Sequence, residues 1–166
     1  MKNIFYFLLL AAALSVQMAL GDLIAIGGIK PDLPLIAVCA ISLLEGRAVG
    51  TVWALGLGLT EDFSGGGLLG AGALSRSVIA FLAGSLLHFR SVQNAFTASL
   101  VVGVLSLINN LTIFLVHLQP GGYLLRGIAF EVFFPSLYTV FLSVLIFAVV
   151  PETVWERIYK TESLIF

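Results

Sequence analysis

Glu61 and Asp62 stand side by side, glycines fill Gly65–Gly67, and a lone Arg76 follows, all inside a very apolar chain. Paired acids beside a glycine-rich turn could hold a cation, cradle a phosphate or move protons. Each of these chemistries needs more than the sequence supplies. Metal sites usually take three or more ligands, and the two histidines, His88 and His117, stand alone near other helix ends. A phosphate loop needs Gly-Lys-Ser/Thr after its glycines, and none follows here. Neighbouring residues point in different directions on a helix, so Glu61 and Asp62 are poor partners for acid/base work. Nucleophile-elbow and zinc-protease motifs are also missing. Cys39 is the only cysteine, so it forms no internal disulfide and reads as a small buried or lipid-facing residue. The expectation is no catalytic residue, no metal and no cofactor. The remaining reading of "GLTEDFSGGGLLGAGALSR" is that a membrane helix has ended.

The composition supports that reading. Of 166 residues, 60% are hydrophobic and 10% charged, with a mean hydropathy of +1.11. Soluble domains carry about 25% charged residues, so the bilayer is the expected solvent. A net charge of −1 gives no clustered basic surface for nucleic acid. The N-terminal run from Ile4 to Leu20 could pass for a secretory signal. It is longer than the roughly 7–15 apolar residues of a signal core, and reads as a retained first span.

A helix needs about 20 residues to cross the hydrocarbon. Segments of about 3–21, 95–118 and 127–150 are long enough, and about 71–89 qualifies if Arg76 can be accommodated. The stretch from Leu33 to Leu59 is apolar but interrupted by Glu45-Gly46-Arg47. One tilted helix would bury both charges at about 2.5–3.5 kcal/mol each. Two short helices, about 33–45 and 47–61, put them at an interface instead. The expected fold is an all-α integral membrane protein, a six-helix bundle in a single polytopic domain. The segment 151–166 reads as an interfacial helix, with Val154, Trp155, Ile158 and Tyr159 on one face. With both termini cytoplasmic, the inner side collects Lys2, Arg47, Arg90, Arg157 and Lys160, and the outer side only Lys30 and Arg126. That satisfies the positive-inside rule.

Within the membrane, small residues permit close helix approach. Gly46, Gly50, Ala54 and Gly58 recur every fourth residue, a stripe suited to internal packing or to docking a partner's transmembrane helix. Arg76, about one turn into its span, needs an anion. The expected partner is Asp62 across the tight turn, closing the hairpin of the third and fourth helices. Asn109, Asn110 and Glu131 are expected to bond between helices or to line a small polar cavity. Pro135, one turn beyond Glu131, frees a backbone carbonyl and can kink the last helix.

The central third of the chain resembles the MreD family of bacterial rod shape-determining membrane proteins. The likeness rests on Pro31-Asp32-Leu33 before an apolar run, then Glu45-Gly46-Arg47, then Gly58-Leu59-Thr60-Glu61-Asp62. Leu69-Gly70-Ala71-Gly72-Ala73-Leu74 closes the series after a glycine turn. Arg76 departs from that pattern, where a polar or apolar residue would be expected. The resemblance implies a non-enzymatic inner-membrane subunit of the cell-elongation complex. Its partners would be a bitopic MreC-like protein, MreB filaments, and RodA with its transpeptidase. It also implies a fold similar to the substrate-binding subunits of energy-coupling-factor vitamin transporters. A transport subunit of that kind is the alternative function, but it would need aromatic and polar groups converging at one depth. The thirteen phenylalanines are instead spread along the chain.

Overall fold

The computed structural model describes residues 2–65, 70–86, 94–116 and 128–149. The expected interfacial helix at 151–166, the loop around Pro120, and His88, Arg90, His117 and Arg126 lie outside them. Six α-helices lie among the described residues. They are α1 (Lys2–Leu20), α2 (Leu33–Glu45), α3 (Arg47–Gly65), α4 (Ala71–Leu86), α5 (Ala95–Val116) and α6 (Phe134–Val149). The helix α6 is preceded by a π-helical turn, Ile128–Phe133. Among the described residues, three helical stretches are long and apolar enough to cross a membrane: Lys2–Leu20, Ala95–Leu115 and Phe130–Val149. Helices α2 and α4 are apolar but short, with 13 and 16 residues. No strand occurs among the described residues, only an isolated bridge between Ile26 and Ile29.

The break at Glu45-Gly46-Arg47 separates two helices, with Gly46 as a hinge at φ +86°. A side chain is strained in that conformation, and glycine is not. Glu45 then lies at the same end of the molecule as Lys2, whose Nζ is 3.2 Å from its carboxylate. Tyr6 donates its hydroxyl proton to the same oxygen. Arg47 sets its guanidinium 5.7 Å from the Phe81 ring centre.

Helix α2 is the hub of the packing and touches all five other helices. Leu35, Val38, Cys39 and Ile41 are each 0% exposed. Ile36, Cys39 and Leu43 share one core with Ile79 and Ala83 of α4, Val102 and Leu105 of α5 and Phe147 of α6. Val38 and Ile41 join a second core with Tyr6 and Leu10 of α1, Ala54 and Leu57 of α3 and Ala80 of α4. The opposite face of α1 is open, with Ile4, Phe5, Phe7 and Leu8 all exposed. Such a face is unfavourable in water but costs nothing against lipid tails.

The most extensive helix pairing among the described residues is α3 with α4, and the glycines explain how close the two backbones come. A Cβ on Gly58 would lie 2.7 Å from the Ala73 nitrogen, and one on Gly84 would lie 2.9 Å from the Gly46 carbonyl carbon. Real Cβ atoms essentially never come so close, so the two backbones touch only because both positions lack one. A Cβ on Gly50 would likewise overlap Ser42 of α2. Gly50, Ala54 and Gly58 are buried, and Gly46 is the α2–α3 hinge. The stripe Gly46, Gly50, Ala54, Gly58 is therefore spent within the chain. Its availability to a partner's helix, the other sequence expectation, is corrected: α2 and α4 already occupy that face.

Candidate functional site: a charged cluster at the helix ends

At the end of the bundle opposite Lys2, the N-termini of α2 and α4 meet the C-terminal part of α3. Helix N-termini leave backbone N–H groups without intrahelical partners and carry partial positive charge. Asp62 answers this on α4. Its Oδ2 accepts from the N–H groups of Gly70 at 2.9 Å and Ala73 at 3.1 Å, and its Oδ1 from Gly72 at 3.1 Å. Gly70 sits at φ +94°, and a Cβ on Gly72 would overlap the Asp62 carboxylate. The two glycines thus shape the chain around that side chain. Asp32 does the same for α2, where its Oδ1 accepts from Leu35 N at 2.9 Å.

Arg76, 8% exposed, lies between these capped ends. Its Nη1 is 3.2 Å from Asp32 Oδ1, and its Nε donates to Glu61 Oε2. The expected Asp62–Arg76 pair is therefore corrected, because Asp62 is held by the α4 backbone and Arg76 bridges Asp32 and Glu61. The physical reason is helical phase. Asp62 is the next position of the small-residue stripe after Gly58, so it projects where α4's backbone comes closest. Glu61, one residue earlier, is turned toward the side of α4 that faces α2.

Uncharged groups extend the cluster to the remaining helices. Gln17 of α1 accepts from Leu33 N at 3.2 Å, and Thr139 of α6 accepts from Asp32 N at 3.0 Å. Next to Arg76, Ser75 donates to Asn109 Oδ1 at 2.8 Å, joining α4 to α5. Asn110 donates to Ser136 Oγ at 3.1 Å, joining α5 to α6. Ser136 in turn donates to Val132 O at 2.7 Å, within the π-helical turn just before Pro135. Asn109 is fully buried, and its Nδ2 has no hydrogen-bond partner among the described residues. Glu131 lies in the same π-helical turn, exposed and outside both groups of contacts. Its expected bond between helices is not seen among the described residues, where Glu131 is exposed.

Sequence reasoning missed Asp32, Glu61, Gln17, Ser75, Ser136 and Thr139 as members of this layer. For Asp32 a signal was available: an aspartate two residues before Pro34 is a typical N-cap, with proline in the first helical turn. For Glu61, a helical wheel would have separated it from the stripe. Gln17 and the hydroxyls carry no such signal, because their partners come from distant helices.

Chemically, the arrangement is a set of clamps. Its charged groups are engaged with one another or with backbone, and no group of three or more possible metal ligands occurs among the described residues. No family model, curated protein or solved structure matches this chain.

Proposed function

We propose that the protein is a non-enzymatic scaffold subunit of the bacterial cell-elongation complex. It lies in the inner membrane with both termini cytoplasmic. In that assembly it binds an MreC-like bitopic protein and supports cell-shape control and peptidoglycan synthesis alongside MreB filaments and RodA with its transpeptidase. The observation that carries the reading is how the interior polar groups are used. Arg76, Asp32, Glu61 and Asp62 join α2, α3 and α4 to one another, and Ser75, Asn109, Asn110 and Ser136 join α4, α5 and α6. A rigid bundle of this kind suits a platform for other membrane proteins. The likeness of "KPDL", "LLEGRAVG", "GLTED" and "LGAGAL" to MreD sequences points the same way, and in this chain those motifs form the hinge, the caps and the charged cluster. With the α3 stripe occupied internally, a partner must meet a different face.

The test is co-purification of the full chain in mild detergent from its native membrane. The scaffold reading expects a single-span partner with a large extracytoplasmic part. Recovery of a paired ATPase module without such a partner would assign the protein to vitamin-type transport instead.

A further inference from the structure

Three neighbouring helices agree on a short distance between the charged ends of the bundle. The 13 residues of α2 rise about 20 Å between Asp32 and Glu45. In α3 the rise from Arg47 to Asp62 is about 22 Å, and in α4 the rise from Gly70 to Gly84 is about 21 Å. These levels are fixed to one another, since Asp62 accepts from Gly70 N and Gly84 packs on the Arg47 backbone. The contact of Gly58 with Ala73 keeps the pair from lengthening by sliding. The hydrocarbon layer of a bilayer is about 30 Å thick, and tilt only lowers the height that a helix covers.

The exposed apolar side chains repeat this asymmetry among the described residues. On α5 they run from Phe96 to Leu115, and on the last helical stretch from Phe130 to Val149, each a rise of about 28 Å. On α3 they run only from Val49 to Phe63, about 21 Å, and on α4 from Leu74 to Leu82, about 12 Å.

We propose that the bilayer thins along the outer face of α3 and α4, and that this face takes phospholipids with short acyl chains as its neighbours. Along α5 and α6 the lipids keep their full length. A helix pair too short for its bilayer can send flanking charges outward, associate with another protein, or draw the membrane thinner. The first route is closed here. Asp62 is held by three backbone N–H groups, and Arg76 is held by Asp32 and Glu61. The side chains of Asp32 and Glu61 keep 18% and 21% of their exposure, so headgroups or water must come to them. A partner helix of ordinary length would carry its own apolar surface past this charged layer and meet the same mismatch. A short acyl chain ends where the layer begins. The proposal depends on the protein residing in a membrane but not on its scaffold role.

The test introduces one tryptophan by Val52→Trp on α3 or Val104→Trp on α5, positions 70% and 57% exposed, in the full chain carrying Trp53→Phe and Trp155→Phe. Each variant is reconstituted into mixtures of fourteen-carbon phosphatidylcholine and eighteen-carbon phosphatidylcholine brominated on its chains. Quenching then reports which lipid lies beside the tryptophan. The fourteen-carbon lipid should be enriched about threefold more in Val52→Trp than in Val104→Trp. Twenty-two-carbon lipid in place of the short one should be depleted in Val52→Trp relative to Val104→Trp. Leu55→Trp, on the same face of α3, repeats the measurement where Val52→Trp folds poorly. Equal lipid preference at the two helices would overturn the proposal. So would a lack of quenching in both Val52→Trp and Leu55→Trp, since a protein neighbour would then cover the face.

Discussion

Which acid serves Arg76 can be measured with double-mutant cycles. At 3.2 Å between Arg76 Nη1 and Asp32 Oδ1, an effective dielectric of about 20 gives a gross attraction of about 5 kcal/mol. Desolvation cancels much of this, and the side chains of Asp32 and Glu61, 18% and 21% exposed, keep some solvent screening. A coupling of about 1–3 kcal/mol is therefore expected for Arg76→Gln with Asp32→Asn, and for Arg76→Gln with Glu61→Gln. Arg76→Gln alone should cost about 3–5 kcal/mol, because it leaves two largely buried carboxylates without a cation. Asp62→Asn should also be costly, since three backbone N–H groups lose a charged acceptor. Its cycle with Arg76→Gln, however, should couple by less than about 0.5 kcal/mol. The assay is reversible unfolding in mixed micelles with increasing sodium dodecyl sulfate, followed by tryptophan fluorescence. A coupling above about 1 kcal/mol between Asp62 and Arg76, with the other two cycles near zero, would refute the assignment.

Two further outcomes test the packing. In α3, Gly58→Ala should destabilise by about 1–3 kcal/mol through overpacking against α4, whereas Gly56→Ala, with nothing within 4 Å of its added carbon, should gain about 0.5–1 kcal/mol from helix propensity; the same unfolding titration reads both, and equal effects would remove the close-approach argument. Cys39 is fully buried in α2 and should resist maleimide until global unfolding, so rapid labelling in mild detergent would contradict the packing of α2 at the centre.

Much of the architecture could be read from hydropathy and helix punctuation. The two-helix reading of residues 33–61 follows from the cost of burying Glu45 and Arg47, and the structure hinges at Gly46 accordingly. Helix limits differ by little: α3 continues to Gly65 rather than ending near 61, because Glu61 and Asp62 find partners within the bundle and need not mark a solvent boundary. The π-helical turn before Pro135 is similarly explicable, since proline cannot donate to the carbonyl four residues earlier. The candidate site was less legible. Arg76 announced its need for an anion, but Asp32, Glu61 and Asp62 were all available to it, and one residue of sequence separation is about 100° of helix rotation.

By itself, the sequence determined that this chain is helical and suited to a bilayer. It also determined where its helices break and that the third helix carries a smooth face. These properties depend on local chemistry: apolar length, glycine conformation, and the cost of an unpaired charge. Only the tertiary structure decided who meets whom. It turned the smooth stripe inward against α2 and α4, gave Asp62 to the α4 backbone, and set Arg76 between Asp32 and Glu61. Those outcomes depend on the relative phase of helices brought together from 15 and 44 residues apart, and phase is settled by packing the whole bundle rather than by any one segment.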